Sequence, residues 1–165
     1  GLTNAAVAIA DPAAVAALDG AAAGEVRRLS IGGKGSRLDE GPIALDVTFI
    51  SRSDGKFTLE DRNSHLAAMQ GVHFSMGPSA VVEYQGIKIL LSSRKTPPFD
   101  LAQFRSQGII PEDLSVIGVK AAVAHRRAYD PIAKHSFTVT TPGPCTSDLK
   151  SLPYKRLRSP AFPVS

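Results

Sequence analysis

Tryptophan is absent from the 165 residues, and the aromatic set is three tyrosines and seven phenylalanines. So thin a supply of ring faces argues against a base- or sugar-stacking platform. The single cysteine, Cys145, excludes an internal disulfide. It lies among proline and small residues with no basic neighbour, so it reads as an inert thiol, and a reducing cytoplasm is the expected location. No apolar run approaches the ~18 residues needed to cross a bilayer, so a soluble chain with no membrane partner is expected. A signal-peptide pattern is also missing. The chain opens at Gly1 almost directly into a strand-then-helix pattern, which leads us to expect a fragment of a longer polypeptide.

Charge is present but diffuse. Nineteen basic and 15 acidic residues give a formal +4. The cations are scattered except for "YKRLR" at 154–158, and no aromatic residues are interleaved with them as in nucleic-acid-binding surfaces. Nucleic acid is therefore not an expected partner, and an anion-binding module built on 154–158 is the weakest of three functional readings.

The apolar content, 43%, suits one domain with a hydrophobic core. "AAVAIA" (5–10) reads as a buried strand, followed by Asp11 as helix N-cap, Pro12 at the first helical position and Gly20 near the helix end. Strand composition recurs in 25–33, 43–51 and 56–60. It recurs again in 79–84 and 87–93, where Gln85-Gly86 makes a two-residue hairpin loop. A longer loop with a helical turn lies between these pairs. Asp100 caps a short helix over 101–107. "SVIGVK" (115–120) and "SFTVTT" (136–141) read as parallel strands joined by a crossover helix. The expected fold class is mixed α/β or α+β. It is a β-rich mixed sheet with hairpins, a C-terminal β-α-β crossover and a few short helices. Residues 1–141 form the single domain, and 142–165 form a proline-rich extended tail packed on it.

Few stretches carry chemistry. "GGKGS" (32–36) lacks the Gly-Lys-Ser/Thr order opening a helix that a phosphate loop requires, and reads as a turn. No histidine pair has helical zinc spacing, although His65, His73 and Asp61 could converge if their loop folds back. That leaves "VKAAVAHRRAYDPIAKH" (119–135). If 121–129 is helical, Arg126 and Asp130 are i, i+4 partners, as are His125 and Tyr129. Pro131 disfavours helix at Asp130, which would then cap "PIAKH". The stretch is either a surface helix with a weak salt bridge or a site at the carboxyl end of strand 115–120, where ligands of open α/β sheets bind.

The motifs "MGPSAVV", "SSR…PFD…F…GI", "GVK" ahead of "DPIA", "TPG" and "LPYKRLRSPAFP", with "IADPAAV" near the start, occur in one order. Together they resemble the C-terminal domain of the MlrC (microcystinase C) family of metallopeptidase-like proteins. The resemblance implies a zinc-dependent hydrolase of peptide or amide bonds whose zinc ligands lie in a preceding N-terminal domain. On that basis no metal or other cofactor is expected within this chain, which alone is expected to be inactive. Its partner would be the N-terminal domain of the same polypeptide, with homo-oligomerisation left open. The family commonly reads Lys-Ser-x-x-His-Phe-Arg-Ala ahead of Phe-x-Pro-Ile-Ala. Aligned without gaps, Lys120 and Arg126 carry over, Tyr129 meets the second phenylalanine, and Ala124 stands at the histidine. His125 is thus displaced by one position, about 100° around a helix. Lys120, Arg126, His125 and Arg127 are the candidate cleft residues, with no catalytic residue assigned. The alternative is a non-catalytic scaffold or interaction domain.

Overall fold

The first apolar run forms β1 (Ala5–Ala10) in the computed structural model, which describes residues 1–141, 143, 146, 148–158, 161 and 162. Cys145, the expected inert thiol, lies outside the described residues. Helix α1 (Pro12–Ala16) follows as anticipated, with the Asp11 side chain accepting from the Ala14 N–H and proline opening the first turn. β2 (Val26–Ile31), β3 (Ile43–Ser53), β6 (Ser79–Tyr84) and β7 (Ile87–Ser92) take up the other main strand signals. A separate two-stranded sheet pairs β4 (Lys56–Thr58) with β5 (His73–Ser75), flanking α2 (His65–Gln70) in the long loop. The β6–β7 turn has positive φ at both Gln85 and Gly86 (50° and 80°), the geometry that lets a two-residue loop follow strand twist.

The main sheet is mixed and has six strands in the order β2-β3-β6-β7-β1-β8, where β8 is Val116–Gly118. Pairing is antiparallel from β2 to β7, then parallel where β1 lies between β7 and β8. Successive residues of β6 and β7 point to opposite faces. Ala80, Val82, Ile89 and Leu91 therefore join α1 and the β2–β3 ribbon in one core. Val81 and Leu90 join Phe104, Ile109 and Tyr129 in the other, beneath α3 (Ala102–Arg105) and α4 (Arg126–Tyr129). An irregularity between Phe49 and Ser51 interrupts the register of β3.

A crossover is present, but it lies earlier than expected. The connection from β7 through α3 to β8 spans β1, so β7, β1 and β8 all run in one direction. Residues 136–141, expected to return as a strand parallel to 115–120, form no strand, and each of them is exposed. β8 is only three residues long and so offers a poor template for a six-residue strand. Of the tail, the described residues include a single 3-10 turn, Leu149–Ser151.

Candidate functional site

Because β7, β1 and β8 are parallel, their carboxyl ends share one edge of the sheet. Asp11 lies just beyond β1 and is almost fully buried (3% exposed). One carboxylate oxygen accepts from Ala14 N–H at 3.0 Å, and the other accepts from Gly32 N–H at 2.9 Å and from Lys34 Nζ at 2.7 Å. The loop 32–36 is therefore the turn that was expected. Its first N–H and its lysine are both engaged by Asp11, drawing the end of β2 onto the end of β1.

Burial pushes the Asp11 carboxyl up, but the Lys34 hydrogen bond, the Ala14 and Gly32 N–H groups and the Lys34 charge outweigh it, leaving it below the usual carboxylate range. A carboxyl depressed in the fold stabilises it above the unfolded-state value and loses that contribution as pH falls through the folded value. Urea melts of Asp11→Asn are accordingly expected to show lower stability at neutral pH and a shallower decline between about pH 5 and about pH 2 than the parent. An unaltered acid slope would assign the pH dependence to other groups.

Beyond β7, the Ser92 hydroxyl donates to the Arg94 carbonyl at 3.0 Å. The Arg94 side chain is exposed and packs its stem over Gly77, where an added Cβ would stand 3.1 Å from Arg94 Cγ. Beyond β8, Lys120 is also exposed. Neither cation has a carboxylate partner among the described residues. Lys120 was anticipated here; Arg94 was not. Its only signal in the sequence is "SSR" directly after an apolar strand, and the parallel order that places it at the same edge is not written locally.

The stretch 119–135 has less helix than expected. α4 covers only Arg126–Tyr129, and His125 occupies its N-cap without a side-chain capping bond. Asp130 stays right-handed helical (φ −57°, ψ −35°) despite Pro131, and the Ala133 N–H still bonds to the Tyr129 carbonyl. Asp130 thus ends α4 rather than capping a second helix. The proline has no N–H to leave unpaired at that point, and one further turn is accommodated.

The four candidates part company. Arg126 is exposed and makes no ion pair with Asp130. Arg127 instead pairs with Asp61, Nε donating to one carboxylate oxygen and Nη2 to the other at 3.3 Å. That hydrogen bond, with the Asn63 N–H and the arginine charge, holds the Asp61 carboxyl below its usual range against a smaller opposing effect of desolvation. Arg127 therefore ties the long loop to α4. His125 does face Tyr129, with ring centroids 6.3 Å apart. Its Nδ1 is buried with no hydrogen-bond partner among the described residues.

Tyr129 anchors α4 in the core at 5% exposure. Burial pushes its phenol well above the ordinary value, and the negative charge of Asp100 adds to that. Asp100, 4% exposed, accepts from three backbone N–H groups, those of Glu60, Asp61 and Ala102. It was expected to cap α3, but Leu101 takes the N-cap position without a side-chain capping bond, and Asp100 instead accepts from the Ala102 N–H one residue further in. It also fastens the start of the long loop.

The donor chemistry does not fit a metal among the described residues. No three of His, Cys, Asp and Glu converge. His65 begins α2, His73 meets the Thr58 hydroxyl at 3.3 Å, and Asp61 is held by Arg127. No helix among the described residues is long and apolar enough to cross a membrane.

Comparison with known proteins places the chain in a family context. No curated protein matches the chain. Among solved structures, one from Mesorhizobium sp. BNC1, described as a candidate metallopeptidase, is similar over 99% of this chain with a TM-score of 0.81 and 22% identity. At that identity the likeness shows the fold. The chain spans 31% of that protein's length. The model of the MlrC C-terminus matches residues 2–156, nearly the whole sequence, and the chain belongs to that family.

Proposed function

We propose that this domain is the C-terminal part of a metal-dependent amide or peptide hydrolase, working with a domain that precedes it in the same polypeptide. The observation that carries the reading is the carboxyl edge of the parallel strands. There Lys120 follows β8, Arg126 opens α4 further along the same connection, and neither has a carboxylate partner among the described residues. Unpaired cations at such an edge suit an anionic or carbonyl group of a substrate, and the planar guanidinium suits a carboxylate through two hydrogen bonds. A zinc ion, if the preceding domain supplies its ligands, would provide the Lewis acid. Lys120 and Arg126 would bind and orient the substrate, with His125 near them and Arg127 holding α4 in place through Asp61. On this reading the 165-residue chain alone does not hydrolyse amides.

The test is steady-state amide hydrolysis by the polypeptide carrying both domains. Loss of the charge-assisted guanidinium pairing in Arg126→Ala predicts a fall in kcat/KM of at least about 10- to 100-fold. Unchanged kcat/KM would remove Arg126 from the site. A scaffold role without chemistry is favoured by one observation, the exposed apolar side chains at Val123, Phe137 and Val139. It predicts that Lys120→Ala and Arg126→Ala both leave the kinetics intact.

A further inference from the structure

Residues 136–141 read Ser-Phe-Thr-Val-Thr-Thr, five of six being aromatic or β-branched, the composition of a half-buried strand. Extended alternation would put Phe137 and Val139 on one side and Thr138 and Thr140 on the other. Yet Phe137 is 83% exposed and Val139 76%. Between residues 134 and 141 the backbone makes no hydrogen bond to any described residue, the one ring contact is His135 against Phe137, and Thr140 and Thr141 line a shallow hollow with Leu38 and Leu152. The last well-buried residue before the segment is Tyr129. The stretch therefore has the composition of a strand, an unpaired backbone and an uncovered apolar side.

We propose that residues 136–141 are an interdomain strand, which pairs with an exposed sheet edge of the domain preceding this one in the polypeptide and buries Phe137 and Val139 against it. The inference rests on the two-domain reading above and deepens it by naming the surface. Three observations favour that occupant over others. The family is defined as a C-terminus, and the related solved chain is long enough that this fold accounts for 31% of it, so most of such a polypeptide lies outside this domain. The segment follows α4 in the chain after the short stretch 130–135, so a partner paired with it would engage the same C-terminal part of the domain that carries Arg126. The unsatisfied element is backbone as well as side chain, and strand addition satisfies both at once.

The alternatives within this chain are weaker. The outer edge of β8 offers three residues, and Val116 on it is itself exposed. Among the described residues the segment uses neither that edge nor the edge of β2.

Amide hydrogen exchange, followed by mass spectrometry on the two-domain polypeptide and on the 165-residue chain alone, tests this. Peptides covering 134–141 should exchange freely in the chain alone and about 100-fold or more slowly when the preceding domain is attached. Phe137→Ser combined with Val139→Ser should abolish that protection while leaving the peptide of β7 unchanged, which shows that the domain itself still folds. Equally fast exchange in both samples would overturn the proposal. So would protection in the 165-residue chain alone that grows with its concentration, since that would assign the segment to a second copy. Hydrolysis measured on the same two-domain sample separates the two readings. Protection without hydrolysis supports the interdomain strand and removes the hydrolase, whereas hydrolysis without protection overturns the strand alone.

Discussion

Asp100→Ala is expected to lower the unfolding free energy by about 3–5 kcal/mol, because the buried Ala102 N–H and the part-buried Glu60 and Asp61 N–H groups would lose their acceptor, at on the order of 1–3 kcal/mol each. The carboxylate is 4% exposed and receives Glu60 N–H at 3.1–3.2 Å, Asp61 N–H at 3.1 Å and Ala102 N–H at 2.9 Å. These donors come from two segments some 40 residues apart, so one side chain holds the start of the long loop to the start of α3. Alanine supplies no acceptor, and the enclosed position gives water little room to replace it. At roughly 2–4 °C per kcal/mol for a domain of this size, the melting temperature should fall by about 10 °C. Asp100→Asn keeps one acceptor oxygen and should recover part of the loss. A thermal melt of Asp100→Ala within 2 °C of the parent, by about the scale just given, would show that the three donors find other partners.

Leu90→Ala should cost about as much, roughly 2–5 kcal/mol, for a different reason. Leu90 has no exposed surface and sits at the centre of β7, with Val81 beside it on one neighbouring strand and Ala8 on the other. Ala8 and the buried Ala6 are too small to close the gap that a truncated side chain leaves, and β7 is held on both edges. The cavity term therefore adds to the lost transfer energy. Ile110→Ala makes the control, since that side chain is 54% exposed and its truncation should change stability by no more than about 0.5 kcal/mol. Equal midpoints in urea for the two variants would contradict the core assignment.

The strands with strong local signatures were legible in the sequence. "AAVAIA", "SAVVEY" and "IKILLSS" are short apolar runs bounded by turn residues, and they coincide with β1, β6 and β7 to within a residue. Asp11 as N-cap and Gln85-Gly86 as hairpin turn were legible because backbone geometry selects those residues. Pairing order was not legible, since nothing in "AAVAIA" states that its neighbours begin at residues 87 and 116. Residues 136–141 show the limit most clearly. The strand preference is in the residues, but the partner that would satisfy it is not among the described ones.

The candidate site was legible in part. Lys120 and Arg126 stand exposed, but the i, i+4 logic divided. His125 meets Tyr129, while Arg126 ignores Asp130. A four-residue helix gives an exposed pair too little order to hold it. The pairing of Arg127 with Asp61 spans 66 residues, and the latch between Lys34 and Asp11 spans 23. Neither has a local signature, since charge complementarity over such separations selects among many partners only once the fold exists.

The placement of β1 also bears on how the chain reaches this state. The first strand of this domain to be made is locked between the seventh and the eighth, so it has no parallel neighbour until residues near 90 have emerged and is flanked on both sides only after residue 118. The β6–β7 hairpin closes locally and can form in microseconds, whereas inserting β1 must first meet the loop-closure entropy of long intervening segments. Until then its apolar residues have no sheet to join. The slow step in folding this domain should therefore be the docking of β1, and a nascent chain stopped before residue 118 would expose a half-finished parallel edge to aggregation.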